Sequence, residues 1–321
     1  MPDSSPSPSP DDDSADQAAD RPRFSIVTPS YNQGAYLRET LESVLNQEGI
    51  GTEFDLDYAV IDGGSTDDSA AIIREYADRL TFWCSEKDRG QSHAINKGFE
   101  HVSKDPNAIA AWLNSDDVYL PGALSRVAAY WREHRPDALV GLCQKTDESG
   151  HVYNSTVLEE YTFEKLVDWD NHNFMQPGCF LSRGVWDAVG GLNEELWYVM
   201  DVELWLKVAK QFRFETLNEP LAAAKSHDQA KTTNVQMRGE LWAEQQLMLL
   251  RYGAREQVVR TLRDRSIAHK MLDAEIRVAS QLPIVGWVVR AARKAARRRL
   301  ERDPTYRPPT VRSAEPPQTG G

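Results

Sequence analysis

AWLNSDDVYL, residues 111–120, runs from an apolar segment into a short polar turn holding two adjacent acids, Asp116 and Asp117. Side by side these carboxylates repel each other, and the next few residues supply no base. One account is an ordinary surface turn, since Asn, Ser and Asp are common turn formers. The other is a divalent cation, which removes the repulsion and takes oxygen ligands. Which account holds depends on what the fold brings to the end of this segment.

The surrounding chain alternates short β-branched runs with amphipathic ones. FSIVTP at 24–29 predicts a buried strand, followed by a helix from about Gln33 to Gln47 with Tyr36, Leu37, Leu41, Val44 and Leu45 on one face. DYAVID at 57–62 predicts the next strand, GGSTDDS a turn and helix cap, and AAIIREYADRL a helix leading to the strand TFWCS at 81–85. A helix over about Gln91–Val102 and the strand IAAWLN at 109–114 complete the series. The alternation predicts an α/β fold, a mostly parallel sheet with helices on both faces. Ligands of such sheets sit beyond the carboxyl ends of the strands. There the chain places Pro29-Ser30-Tyr31-Asn32, Asp62, Glu86-Asp88 and Ser115-Asp116-Asp117.

Beyond Tyr119 the pattern is mixed. A helix near 121–135 precedes strands at 138–143, 151–155 and 179–182, a helix around 200–211, and two closing strands, FRFETL at 212–217 and PLAAAKS at 220–226. From about Asn234 onward the chain reads as helical and increasingly basic, with a Pro-rich tail after Asp303. The acidic, Ser/Pro-rich residues 1–22 read as a disordered tail, and 304–321 as another.

A net charge of -12 disfavours general nucleic-acid binding. Cys84, Cys143 and Cys179 are scattered, with no CxxC pair, and fit buried thiols in a reducing compartment. The N-terminus lacks the features of a signal peptide, and LPIVGWVV at 282–289 is too short to span a bilayer. The expectation is a cytoplasmic protein, peripheral at most at the inner face of the plasma membrane. No GxGxxG follows the first strand and no GxxxxGK[ST] occurs, which argues against a dinucleotide dehydrogenase and a P-loop NTPase.

SIVTPSYNQ, VIDGGSTDDS, EKDRGQSHAINKGF, AWLNSDD and VMDVELWLKVAK, in that order over roughly residues 23–230, together resemble the family-2 glycosyltransferases. The resemblance implies a GT-A, Rossmann-like mixed sheet flanked by helices. Residues 23–120 would be its nucleotide-sugar-binding half, 121–232 its acceptor and catalytic half, and 233–303 a helical basic extension. It implies an inverting transferase that moves a single sugar from a nucleoside diphosphate sugar, a UDP-sugar foremost, to a saccharide or lipid-linked acceptor in envelope polysaccharide or glycolipid assembly. Mn²⁺ or Mg²⁺ would be the cofactor.

By the same resemblance Asp117 would bind the metal, while Asp116 would contact the ribose or the metal's water shell. Asp62 would face the base or ribose and Tyr31 would pack against the base. Pro29, Asp88, Gly90, Asn96 and Lys97 would complete the donor site. His227 stands where some relatives supply a third ligand, though a surface histidine is an equal account. Trp197 and Tyr198 are candidates for an acceptor-stacking surface. No QxxRW occurs, which points to single-sugar transfer rather than processive synthesis. A catalytically inactive sugar-nucleotide-binding or scaffold protein of this fold is the rival reading. A sugar nucleotidyltransferase is disfavoured because PSYNQG lacks a Gly-Arg-rich loop.

Within VMDVELWLKVAK the resemblance puts the catalytic base at Asp201. Helical spacing agrees, because Asp201 shares a face with Leu204, Trp205 and Val208. Glu203 aligns with Lys207 instead, as in an exposed ion pair, and is expected to face water. WVVRAARKAARRRLER, part of a 284–302 stretch with six Arg or Lys between 290 and 299, is an expected contact for anionic lipid. A basic helix docked on the catalytic domain is the alternative.

Overall fold

The computed structural model describes residues 21–169, 174–227 and 238–263. The chain divides into two compact units, Met1–Arg255 and Glu256–Gly321, and the described part of the second, 256–263, is helical. The acidic tail at 1–20 and the basic stretch at 284–302 lie outside the described residues.

In the first unit β1 (Arg23–Ser30), β2 (Asp55–Asp62), β3 (Phe82–Ser85) and β4 (Ile109–Trp112) lie parallel in the order β3-β2-β1-β4. Between them run α1 (Gly34–Leu45), α2 (Ser69–Glu75) and α3 (Gln91–Glu100). Residues 24–30 of β1 are all buried, as expected for a strand covered on both faces. One layer of the core gathers Phe24, Ile26, Leu37, Leu41, Tyr58 and Val60, with Phe24 edge-on to Phe54 at 5.0 Å. Gly98, in α3, permits the helix to lie directly on β1. A Cβ there would stand 2.3 Å from Val27 Cγ1, so this glycine is a close-packing residue.

Past β4 the sheet changes direction. It continues through β5 (Asp117–Tyr119), α4 (Ala123–His134), β6 (Ala138–Thr146), β7 (Val152–Ser155), α5 (Phe163–Leu166), β8 (Cys179–Ser182), α6 (Arg183–Ala188), α7 (Met200–Ala209), β9 (Phe214–Lys225) and α8 (Arg238–Arg251). The full order is β3-β2-β1-β4-β8-β6-β9-β5, with β7 beside β6. β8 is antiparallel to β4 and β6, β9 is parallel to β6, and β5 is antiparallel to β9. The sheet is therefore mixed and mostly parallel in its first half.

Two sequence expectations need correction. FRFETL and PLAAAKS are not separate strands. The chain passes through Asn218-Glu219-Pro220 without leaving the sheet, because irregularities opposite Gly141–Cys143 absorb the extra residues while pairing with β6 continues. Asp117 is also not part of a free turn. It opens β5, opposite Ala224 of β9, and is buried there.

Candidate active site

The carboxyl ends of β1–β4 lie side by side, and the loops leaving them interlock. Asn32, just past β1, adopts a left-handed backbone (φ 52). Its N–H donates to Ser65 Oγ at 2.8 Å, and its side-chain oxygen accepts from Thr66 N at 2.8 Å. The ring of Tyr31 stands in solvent, 61% exposed, at the rim of this loop pair. Pro29 is buried inside β1, opposite Ile61.

Asp62, the expected partner of a base or ribose, closes β2 at the carboxyl edge of the sheet. It is fully buried, and its carboxylate accepts from Ser65 N at 3.0 Å, from Ser65 Oγ, and from Ser85 Oγ at 2.6 Å. These bonds tie the β2 and β3 loops together. Asp88 lies nearer the rim: its Oδ1 accepts from Gly90 N at 2.8 Å, and its Oδ2 lies against Gly63, where a Cβ would come within 2.7 Å.

Asn96 and Lys97 are similarly engaged. Asn96 donates to Leu192 O at 2.9 Å and accepts from Leu192 N at 3.0 Å, holding the loop after α6. Lys97 pairs with Glu86 and reaches Cys84 Sγ at 3.1 Å, and the Glu86 carboxylate holds its ammonium pKa above the ordinary value. Both side chains bond within the protein in this arrangement. Gly90, with φ 118, packs under the Trp197 ring.

The two acids of the opening motif have different surroundings. Asp117 is 6% exposed and its carboxylate accepts from Asn114 Nδ2 at 3.2 Å, while Asn114 Oδ1 accepts from Gln91 Nε2 at 2.7 Å. Burial, and then the charge of Asp116, push the Asp117 carboxyl well above the usual range. Asp116 is half-buried, with Oδ2 2.9 Å from Nε2 of His227. His227 follows β9 and packs its ring on Tyr36 of α1, centroids 4.3 Å apart. The antiparallel pairing of β5 with β9 brings a carboxylate and an imidazole 111 residues apart into contact. Among the described residues no group of three or more His, Cys, Asp and Glu that could hold a metal is found.

Asp201 is the second residue of α7, and its Oδ1 accepts from Val202 N at 2.8 Å. One turn on, Trp205 stacks on Trp112 at the end of β4, ring centroids 5.6 Å apart and nearly parallel. The face of α7 carrying Asp201 is thereby set against the strand that leads to the acid pair, and the charge of Asp201 is among the causes raising the Cys179 thiol, after burial and Cys143. Glu203 does form the expected pair with Lys207, at 3.2 Å, but it does not face water. It is 8% exposed and accepts from the Tyr252 hydroxyl at 2.9 Å, because the segment after α8 covers that side of α7. Asn114, Gln91 and Tyr36 were missed from the sequence; an Asn closing a strand and a Gln opening a helix carry no local mark of the partner they find across the sheet.

A family model described as "Glycosyl transferase family 2" matches residues 25–189, just over half of the chain. The chain belongs to glycosyltransferase family 2. An uncharacterised glycosyltransferase of Rickettsia typhi is 27% identical over 221 residues, 66% of each chain. The chondroitin synthase of Escherichia coli is 30% identical over 62% of this chain and 28% of its own length. A PGL/p-HBAD biosynthesis glycosyltransferase of Mycobacterium bovis is 29% identical over 54% of this chain and 64% of its own. The chain thus spans just under two thirds, or less, of the length of these relatives.

Two solved structures share the fold of this family-2 chain. TarS of S. aureus, in complex with UDP-GlcNAc, has a TM-score of 0.57 at 19% identity, over 70% of this chain and 65% of that one. The mannosyltransferase PcManGT of Pyrobaculum calidifontis, with GDP-Man and Mn²⁺, has a TM-score of 0.54 at 16% identity over 88% of both. The expected GT-A architecture, a mixed and mostly parallel sheet flanked by helices, is the one observed.

Proposed function

We propose that this glycosyltransferase moves one sugar from a nucleoside diphosphate sugar to an acceptor hydroxyl, with inversion at the anomeric carbon, in the assembly of a polysaccharide or glycolipid. The observation that carries the reading is the contact of Asp116 with His227 beyond the carboxyl ends of the strands, on the same sheet that α7 approaches with Asp201. A carboxylate oxygen and an imidazole nitrogen 2.9 Å apart are donors that suit Mn²⁺. Mg²⁺ too takes only one or two carboxylates and leaves the other positions to phosphate and water. In this reading Asp116 and His227 would hold the cation, and Asp117 would support them from within the sheet. When bound, such a cation neutralises charge building on the departing diphosphate.

The chain's own residues supply the rest. Tyr31 offers an exposed ring for the base to stack on, and Asp88 is the rim carboxylate that accepts from the ribose or base. Asp201 takes the acceptor hydroxyl's proton while that oxygen bonds to the anomeric carbon and the bond from that carbon to the diphosphate oxygen breaks.

The deciding experiment incubates the protein with a panel of UDP-, GDP- and dTDP-sugars and Mn²⁺, with and without chelator, and follows the nucleotide product. Release of nucleoside diphosphate in a metal-dependent manner is expected. The panel is run in water and with added saccharide and lipid-linked acceptors, so that the sugar has an oxygen to bond to. Pyrophosphate formation would indicate nucleotidyl transfer, and no release with any acceptor, together with tight donor binding, would indicate an inactive binding protein.

Among the described residues no helix is long and apolar enough to cross a membrane. A peripheral attachment is proposed on sequence alone, through the basic residues 284–302. Removal of residues 284–321 is expected to reduce binding to phosphatidylserine vesicles while leaving donor turnover in solution. Full-length binding should weaken as salt is added, because exposed charges are screened over about 8 Å at physiological ionic strength. Equal vesicle binding by both chains would exclude this attachment.

A further inference from the structure

The segment entering α7 is held from outside the sheet. Backbone N–H groups of Trp197, Tyr198 and Val199 all donate to the carboxylate of Glu244 on α8, at 2.9, 2.6 and 3.0 Å. The Tyr198 hydroxyl donates to Glu240, one turn earlier on the same helix, at 2.7 Å. Successive N–H groups turned to one side form a concave site for an anion, filled here by a side chain 45 to 47 residues further along the chain. Val199 is the N-cap residue of α7 and no side chain caps that helix locally. The anchoring that a Ser or Asp would normally provide at a helix start is thus supplied by α8.

The same contact sets the neighbouring ring. Trp197 is 51% exposed, and its indole lies on Gly90, where a Cβ would stand 2.8 Å from Cζ3. Beside it, Arg89 pairs with Glu194 at 2.5 Å, closing the edge of the α3 start. An exposed aromatic face next to a Gly-backed turn is a surface on which a saccharide ring can stack, its C–H groups against the indole.

We infer that Glu244 is a positioning residue for the transfer reaction. It fixes the start of the helix that carries Asp201, together with the Trp197 ring, so that base and acceptor surface keep one relative geometry. This rests on the reading of Asp201 as the base. Glu244 touches none of the residues proposed to hold the donor, so its effect falls on the acceptor side. A displacement of about 1 Å in a catalytic group costs up to about 10²-fold in rate. Hydrogen bonds to a carboxylate are roughly twice as strong as neutral ones, and an amide offers one accepting oxygen in place of two.

The test uses the full chain and Glu244→Ala, Glu244→Gln, Glu240→Gln and Asp201→Asn. Hydrogen exchange of the free protein is expected to accelerate at amides 197–203 in Glu244→Ala and less in Glu244→Gln, with Glu240→Gln close to wild type. With the donor selected by the panel above, kcat for nucleoside diphosphate release should fall about 10–100-fold in Glu244→Ala. It should fall by less in Glu244→Gln, and donor KM should stay within about two-fold in both, since the donor residues are untouched. Unchanged exchange at 197–203, or a donor KM that rises with no fall in kcat, would overturn the inference. If Glu244→Ala does not fold, the graded loss in Glu244→Gln decides it by the same criteria. Full turnover in Asp201→Asn would instead overturn the reading of the base, and the exchange data would still judge the anchoring of the segment.

Discussion

Asp201→Asn is expected to lower turnover by about 10²–10⁴-fold, the usual contribution of a positioned general base, with donor KM nearly unchanged. The substitution keeps the shape of the side chain and removes only its basicity. The hydrogen bond it accepts from the neighbouring Val202 N–H can still be accepted by the amide oxygen. Glu203→Gln separates the two acids of this helix. Glu203 is buried between Lys207 and Tyr252, so the change should lower stability by about 1–3 kcal/mol as a charge-assisted contact is weakened. Turnover of the folded fraction should stay within a few-fold of wild type. Steady-state kinetics and urea melts of both variants check this, and an exchange of the two phenotypes would move the base to Glu203.

Asp116→Asn should abolish the response to Mn²⁺ and lower turnover by at least about 10²-fold, because a cation at that position contributes several kcal/mol of charge stabilisation. His227→Ala should follow it in direction. Asp117→Asn is expected to behave differently. Its carboxyl is buried beside Asn114 while that of Asp116 meets His227, so an amide of the same shape should leave a metal response in place. Donor thermal shifts with and without Mn²⁺ distinguish these cases, since a ligand that binds only the folded state raises its melting temperature. Loss of the metal response in Asp117→Asn with retention in Asp116→Asn would return the metal to Asp117.

The alternation of strands and helices was legible because each element carries its own period. The buried run FSIVTP, the face of Leu37, Leu41 and Val44, and the turn at Gly63-Gly64 are local signals read over a few residues. Their arrangement as a sheet with ligands at its carboxyl edge follows from the rules of α/β packing. The reason for Gly98, by contrast, came from the structure, which sets Val27 against it.

What the sequence could not convey is which member of an adjacent pair meets a distant partner. Asp116 and Asp117 are equivalent as letters. Their difference arises because β5 pairs antiparallel with β9, which brings His227 to one carboxylate and buries the other beside Asn114. Helical periodicity likewise assigned Glu203 to water, since it reports the face of one helix and cannot report that Tyr252 covers it. Asp62 ends its strand as expected, and the structure adds that Ser65 and Ser85 donate to it and tie two loops together. By itself the sequence determined the α/β architecture and the family, because these follow from periodicity and short motifs. Only the tertiary structure decided which carboxylate meets His227 and that Glu244 holds the segment entering α7, because burial and hydrogen-bond partners come from segments tens to more than a hundred residues apart.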